Sequence, residues 1–475
     1  MIGLFFAHLS VTVATSFALF VILSGLAQNM VHLAQLALAG VALARQPPEA
    51  DTGSFWQRYS KAAPPIALLA PAYNEALTIV ESIRSLLSMR YPEFEIIVIN
   101  DGSTDQTLEI LIDTFQLAPT QARDYELVVD HALILGLYAS SLHPRLLVID
   151  KDNGGKADAL NAGLNLATAP IVCSMDADSL LEPDALLRAV QPFLEDPQRV
   201  IAVGGTIRVA NGCTIADGRI VKVGAPRNLL ALMQTVEYLR AFLMARLAWS
   251  QIGALTIISG AFGLFRRGAV LEVGGYAHGT VGEDMELVVR LHRHFRNIRK
   301  PYRIAFVPEP VCWTEAPESL KVLSRQRARW HRGALETFDR HRSMAFNPKY
   351  GAVGLAGFGW IVLSDVIGPP TEVLGYILIP IWWWLGALSV QYLLAFIAVT
   401  FAFGIALSVG ALALEESELH RFPRARDLVV LTGAAILENL GYRQLNQLWR
   451  LQGTLQWLRG AQSWGEMTRK GFKAA

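Results

Sequence analysis

Two stretches of the chain carry no formally charged side chain. Residues 1–44 contain no Asp, Glu, Lys or Arg, and neither does Val373–Leu414. A bilayer crossing takes about 20 apolar residues, so each stretch predicts one or two membrane spans. The first run is longer than a signal-peptide core and has no basic leading region, which predicts a retained anchor. Arg45, Arg58 and Lys61 follow it and place the next domain in the cytoplasm by the positive-inside rule. From Gly351 to Glu372 the chain is mostly apolar but carries Asp365 and the run Gly368-Pro369-Pro370. Paired prolines break a helix, which predicts a re-entrant or interfacial segment, or a short span. Residues 428–446 form a fourth apolar run with Glu438, Asn439 and Arg443. Those polar groups should face protein or a water-filled path; a peripheral amphipathic helix is the other reading. The remainder, 447–475, carries Arg450, Arg459, Arg469, Lys470 and Lys473 and reads as a basic interfacial tail.

Between about 60 and 345 the pattern changes to short β-rich apolar runs separated by helical periodicity. The runs are 66–71, 94–101, 146–150, 170–178 and 200–205, with helices expected over 76–89, 105–115, 156–167 and 182–195. Alternation of this kind predicts an α/β domain on a mainly parallel sheet. The expected organisation is therefore an anchor (1–45), a soluble domain (60–345), transmembrane or interfacial helices (346–449) and a tail (450–475). Composition agrees: 52% of residues are hydrophobic and 17% charged, against about 25% charged in soluble proteins. A net charge of +1 implies no nucleic-acid partner. Cys173, Cys213 and Cys312 are too far apart for a disulfide framework or a zinc pattern.

Chemistry-bearing residues gather where the expected strands end. Asp101 closes one strand, and Asp176 and Asp178 close another; ligands of open parallel sheets bind beyond such ends. Asp105, in the turn after Asp101, reads as a helix cap. Two carboxylates two residues apart repel unless a cation or proton lies between them, and a divalent ion with oxygen ligands answers that repulsion. Asn153-Gly154-Gly155-Lys156 precedes a helix, so backbone amides and one cation could meet a phosphate there; an ordinary glycine turn is the other reading. Glu283 and Asp284 open a helix expected over 285–295, either to complement its dipole or to supply a general base for a hydroxyl. Residues Arg325–Arg332 hold four arginines and Trp330, which suits pyrophosphate binding with sugar stacking, or a basic membrane-surface helix.

Taken in order, Pro71-Ala72-Tyr73-Asn74-Glu75, Asn100–Asp105, Gly155-Lys156, Asp176-Ala177-Asp178, Ser259–Gly263, Glu283-Asp284 and Gln326–Trp330 resemble the membrane-integrated, processive-type branch of family 2 glycosyltransferases. Hyaluronan, cellulose and poly-N-acetylglucosamine synthases belong to that branch. The resemblance implies a GT-A fold, a Rossmann-like sheet facing the cytoplasm with transmembrane helices at both ends, in a multi-pass protein of a bacterial inner membrane. It implies that Tyr73, Glu75 and Asp101 hold the nucleoside of a UDP-sugar. Lys156 would neighbour the donor site, Asp176 would sit near the diphosphate, and Asp178 would bind Mg²⁺ or Mn²⁺. Ser259, Gly260, Phe262 and Glu283 would border the acceptor and Asp284 would be the base. Gln326, Arg329 and Trp330 would close over the pyrophosphate and the acceptor sugar. The reaction implied is inverting transfer to a growing glycan, with single addition to a membrane-linked lipid as the alternative and a transporter or scaffold as the reading from another class. Membrane lipids and accessory export subunits would be the further partners, and UDP-glucose or UDP-N-acetylglucosamine the donor. Gly282 departs from the pattern, since the branch often has Thr there. No cyclic-di-GMP receptor domain is expected after the last apolar run.

Overall fold

The computed structural model describes residues 2–45, 62–121, 126–419 and 424–460. Arg58, Lys61, Arg469, Lys470 and Lys473, invoked above for sidedness and for the tail, lie outside these residues.

Ten strands form one sheet in the order β3-β4-β5-β2-β1-β6-β11-β8-β12-β7. They are β1 (Ile66–Ala72), β2 (Phe94–Asp101), β3 (Leu117–Pro119), β4 (Ile134–Ser140), β5 (Leu146–Lys151), β6 (Ile171–Ser174), β7 (Leu180–Leu181), β8 (Val200–Val209), β11 (Gly263–Arg266) and β12 (Arg303–Thr314). A separate hairpin pairs β9 (Thr214–Ala216) with β10 (Arg219–Lys222). The parallel expectation describes the centre, where β5, β2, β1 and β6 run together. Outside it the sheet is mixed, because β4 and β11 run antiparallel to their neighbours. β1 and β2 are buried along nearly their whole length, as strands covered by helices on both faces must be. The flanking helix Ile79–Leu87 buries Ile79, Ser82, Ile83 and Leu86, one stripe at helical spacing.

Three helices among the described residues are long and apolar enough to cross a membrane: Val11–Ala44, Val353–Trp384 and Val390–Ser417. The second corrects the expected break at Pro369-Pro370. A π-helical stretch, Val362–Ile367, precedes them, and both prolines fall in the first turn of the segment Gly368–Trp384. The helical path continues through both prolines. The fourth apolar run forms a helix, Ala425–Leu437, followed by a kink at Leu440 and Gly441. Its Glu438 and Asn439 are buried; Glu438 accepts from Ser408 and pairs with Arg240 at 2.8 Å. After the kink, helix Arg443–Leu458 lies along helix Leu320–His341, so the expected tail boundary at 449/450 falls inside a continuous helix.

Candidate active site

The carboxyl ends of β1, β2 and β6, the start of helix Glu283–Asn297 and one side of helix Leu320–His341 enclose a cavity of about 1260 Å³. Tyr73, Glu75, Asp101, Lys156, Asp176, Asp178, Ser259, Gly260, Glu283, Asp284, Gln326, Arg329 and Trp330 all line it. Phe262 does not: its ring is fully buried in the sheet core, so its place next to β11 makes it a support for the loop Ser259–Ala261 rather than a wall of the cavity.

Two turns build the end next to β1 and β2. Asn74, held at a positive φ of 56°, accepts through Oδ1 from the amides of Thr104 (2.8 Å) and Asp105 (3.3 Å). Its own amide donates to Ser103 Oγ at 3.0 Å. Asp105 accepts from the Thr107 amide at 3.0 Å, but it lies one residue before the N-cap position, Gln106, rather than at the cap expected of it. Asp101 is heavily committed. Its carboxylate accepts from the amides of Gly154 (3.0 Å) and Gly155 (2.8 Å) and from Lys151 Nζ (2.5 Å). Lys151 is fully buried and also meets Asp158 at 2.6 Å. Asp101 thus holds the glycine turn in place, at a φ of 87° for Gly155, and so delivers Lys156 to the cavity. Nothing in the linear pattern marked Lys151, because a lysine closing a strand ordinarily points to solvent.

The acidic pair sits differently from expectation. β6 stops at Ser174, so Asp176 and Asp178 lie on the following turn rather than on the strand. Lys156 Nζ meets Asp176 Oδ1 at 2.5 Å and Glu283 Oε1 at 3.3 Å. Burial disfavours the ammonium, but Asp176, Glu283 and Asp284 outweigh it and hold Lys156 above the usual lysine range. Burial raises Glu283, with Lys156 opposing and Asp284 adding to the shift. Among the described residues no three His, Cys, Asp or Glu side chains form a ready metal cage. Asp176 and Asp178 nevertheless supply hard oxygen donors, and one or two carboxylates plus substrate phosphates is the usual way Mg²⁺ is held.

Asp284 occupies the first turn of its helix. Its Oδ2 accepts from the Gly260 amide at 2.9 Å and its Oδ1 from the Met285 amide at 2.7 Å, which fixes its orientation beside Ser259-Gly260. Gly282 explains the departure from Thr. A Cβ there would lie 3.0 Å from Gly333 Cα, so the backbones of the Asp284 loop and the Trp330 helix touch. On that helix, Trp330 is 43% exposed and Gln326 Oε1 is buried with no hydrogen-bond partner. Arg327 lines the cavity as well. It pairs with Glu237 at 2.7 Å and lies 4.4 Å from the Trp330 ring centroid. Burial lowers Arg329, with Glu283, Asp176 and Asp284 opposing.

The cavity continues past Trp330 to Asp365, Asn446 and Arg450. Arg450 donates to Asp365 and to the Ser364 carbonyl, both at 2.6 Å. Reading Arg450 as part of a basic tail missed this, since only the packing of two distant helices brings it here.

A model of Glycosyl transferase family 2 matches residues 68–274. The chain is 31% identical over 275 residues to a poly-β-1,6-N-acetyl-D-glucosamine synthase of Staphylococcus epidermidis. It is 31% identical over 276 residues to the synthase of that name from Staphylococcus aureus. Each match spans 58% of this chain and 56% of the relative, so the chain covers little more than half the length of these curated relatives. A solved mannosyltransferase from Pyrobaculum calidifontis, in complex with GDP-Man and Mn²⁺, superposes with a TM-score of 0.51 at 20% identity, over 92% of this chain and 99% of that one. With the sheet order, the strand-end acids and the matched segment in agreement, residues 68–274 are similar to a glycosyl transferase family 2 domain and the chain has a GT-A fold.

Proposed function

We propose that the protein is an inverting glycosyltransferase that moves a sugar from a UDP-sugar, N-acetylglucosamine by preference, onto a growing glycan at the cytoplasmic face of a bacterial inner membrane. The observation that carries this reading is the single cavity joining Asp101, Asp176, Asp178 and Asp284 to Trp330 and onward to Asp365, which lies within the apolar helix Val353–Trp384. A donor seated on the sheet would have its acceptor approach from the membrane side. The synthases named above support polymer formation over single addition to a lipid.

In this reading Asp284 accepts the proton of the acceptor hydroxyl as that oxygen attacks the anomeric carbon. Both carboxylate oxygens are pinned by amides, so the base is positioned before substrate arrives. Asp178 and Asp176 would hold a Mg²⁺ or Mn²⁺ ion, whose chemistry is to neutralise the departing diphosphate. Lys156 would turn from Asp176 toward the phosphates, and Arg329 would add a second cation there. Trp330 offers a face on which a sugar ring can stack.

The test is a panel of radiolabelled UDP-sugars with membranes containing the full chain, with and without Mn²⁺, followed by product sizing. Polymer from UDP-N-acetylglucosamine is expected. A product one sugar long would overturn polymerisation, and no transfer from any UDP-sugar would overturn the enzyme.

A further inference from the structure

The helix Leu229–Tyr238 passes into a π-helical stretch, Leu239–Arg246. Turns of this kind are rare and gather at functional sites. Its last residue, Arg246, lines the cavity together with Phe242 and Asp284. The guanidinium stacks on the Phe242 ring, 3.7 Å from the centroid. Its Nη1 is buried and has no hydrogen-bond partner among the described residues. An unpaired buried donor on a cation is costly, and the obvious acids nearby are committed. Glu237 takes Arg327 and the Tyr442 hydroxyl, each at 2.7 Å. Asp284 is held by the Gly260 and Met285 amides. Burial pushes Arg246 down to about 10, with Asp284 the carboxylate that opposes it, so the guanidinium stays charged at neutral pH. Arg329, by contrast, feels Asp176 and Glu283 as well as Asp284. Arg246 therefore belongs with Asp284, beside which it lines the cavity.

Resting on the transferase reading above, we propose that Arg246 binds the acceptor: Nη1 donates to an oxygen of the acceptor's terminal sugar and so aims its reactive hydroxyl at Asp284. The oxygen is a hydroxyl, ring or amide carbonyl oxygen, any of which completes the unmade bond. Phe242 keeps the guanidinium flat and pointed into the cavity. The sequence offered no hint, since Arg246 belongs to no motif and reaches the cavity only in the folded chain.

The test measures transfer from UDP-N-acetylglucosamine to β-1,6-linked N-acetylglucosamine oligomers by the full chain in membranes. A lost hydrogen bond to a charged group predicts that Arg246→Gln raises the KM for the oligomer roughly tenfold or more. The KM for the donor and the Kd for UDP should stay within about twofold, the pattern of a residue that touches acceptor alone. Arg246→Lys keeps the charge but loses the planar fork and should fall between; it reads the same split if the glutamine variant does not fold. An unmoved oligomer KM, or UDP affinity falling in step with it, overturns the assignment of Arg246 alone. Wild-type membranes that transfer from no UDP-sugar overturn the transferase reading beneath it.

Discussion

Replacing Gly333 by alanine sets two effects against each other. Gly333 lies in the interior of helix Leu320–His341, where alanine is favoured over glycine by about 0.8–1 kcal/mol. The new Cβ, however, would sit 3.0 Å from both Cα and N of Gly282 and 3.3 Å from the Val281 carbonyl carbon. Unstrained carbon contacts lie at roughly 3.5–4 Å, so the two backbones must part by about half an ångström. Overpacking of this kind costs about 1–3 kcal/mol, which offsets the helix gain and leaves stability unchanged or lower by up to ~2 kcal/mol. The larger effect falls on catalysis. Gly282 directly precedes Glu283 and Asp284, and Gly333 lies one turn after Arg329 and Trp330. Separating the two segments moves Asp284, the proposed base, away from Trp330, and a displacement near 1 Å can cost on the order of 100-fold in rate. Gly333→Ala is therefore expected to lower kcat at least tenfold while thermal unfolding shifts little, a loss on the scale of partial misplacement. UDP binding should survive, because the turns at Asn74 and Asp101 are untouched. A variant that gains stability and keeps full turnover would refute the claim that this backbone contact sets the catalytic geometry.

Other consequences are open to direct measurement. Asp284→Asn should reduce transfer by about 10²–10⁴-fold, the range lost with a general base, while retaining UDP affinity by calorimetry; normal turnover would remove Asp284 from that role. Asp178→Asn should raise the Mn²⁺ concentration needed for half-maximal transfer, since one of the two hard ligands proposed for the ion is lost; an unchanged metal titration would place the ion elsewhere. Lys151→Met should be strongly destabilising, by about 3–5 kcal/mol, because it leaves Asp101 and Asp158 buried without their cation, and a wild-type unfolding midpoint would contradict the pairing. His292 is buried, with Nε2 2.8 Å from the Leu255 carbonyl and Nδ1 2.7 Å from the Tyr302 hydroxyl. Burial pushes it from 6.5 down to about 4, against the backbone bond to Leu255. A depressed histidine favours the fold above its ordinary pKa and loses that contribution as the pH falls through the folded value, so stability should drop by up to roughly 3 kcal/mol between pH 6.5 and 4. Replacement of His292 by Asn should flatten that slope in pH-dependent unfolding, and an unaltered slope would assign it to other groups.

Much of this architecture is written in local pattern. β2 spans the residues expected of it, and β1, β5 and helix Lys156–Leu166 fall within a residue of expectation, because buried parallel strands are continuous apolar runs that need no partner to be visible. The charge-free stretches mark apolar helices for a similar reason: the cost of burying charge in lipid acts on each residue separately. The acids at the strand ends were visible too, since strand direction alone places them at one edge. What escaped the linear reading depends on segments meeting from far along the chain. Asp101 lies 50 residues from Lys151, and only the folded chain shows that this cavity-lining carboxylate also anchors the Gly154-Gly155 turn. Phe262 lies two residues after Gly260 yet packs into the core, because the chain turns there before β11 begins, the Phe262 amide donating to the Ser259 carbonyl. The passage of a helix through Pro369-Pro370, the close approach of Gly282 to Gly333 and the entry of Arg246 and Arg450 into the cavity share one cause. Each is set by how helices pack against one another, and packing compares surfaces that no stretch of sequence contains on its own.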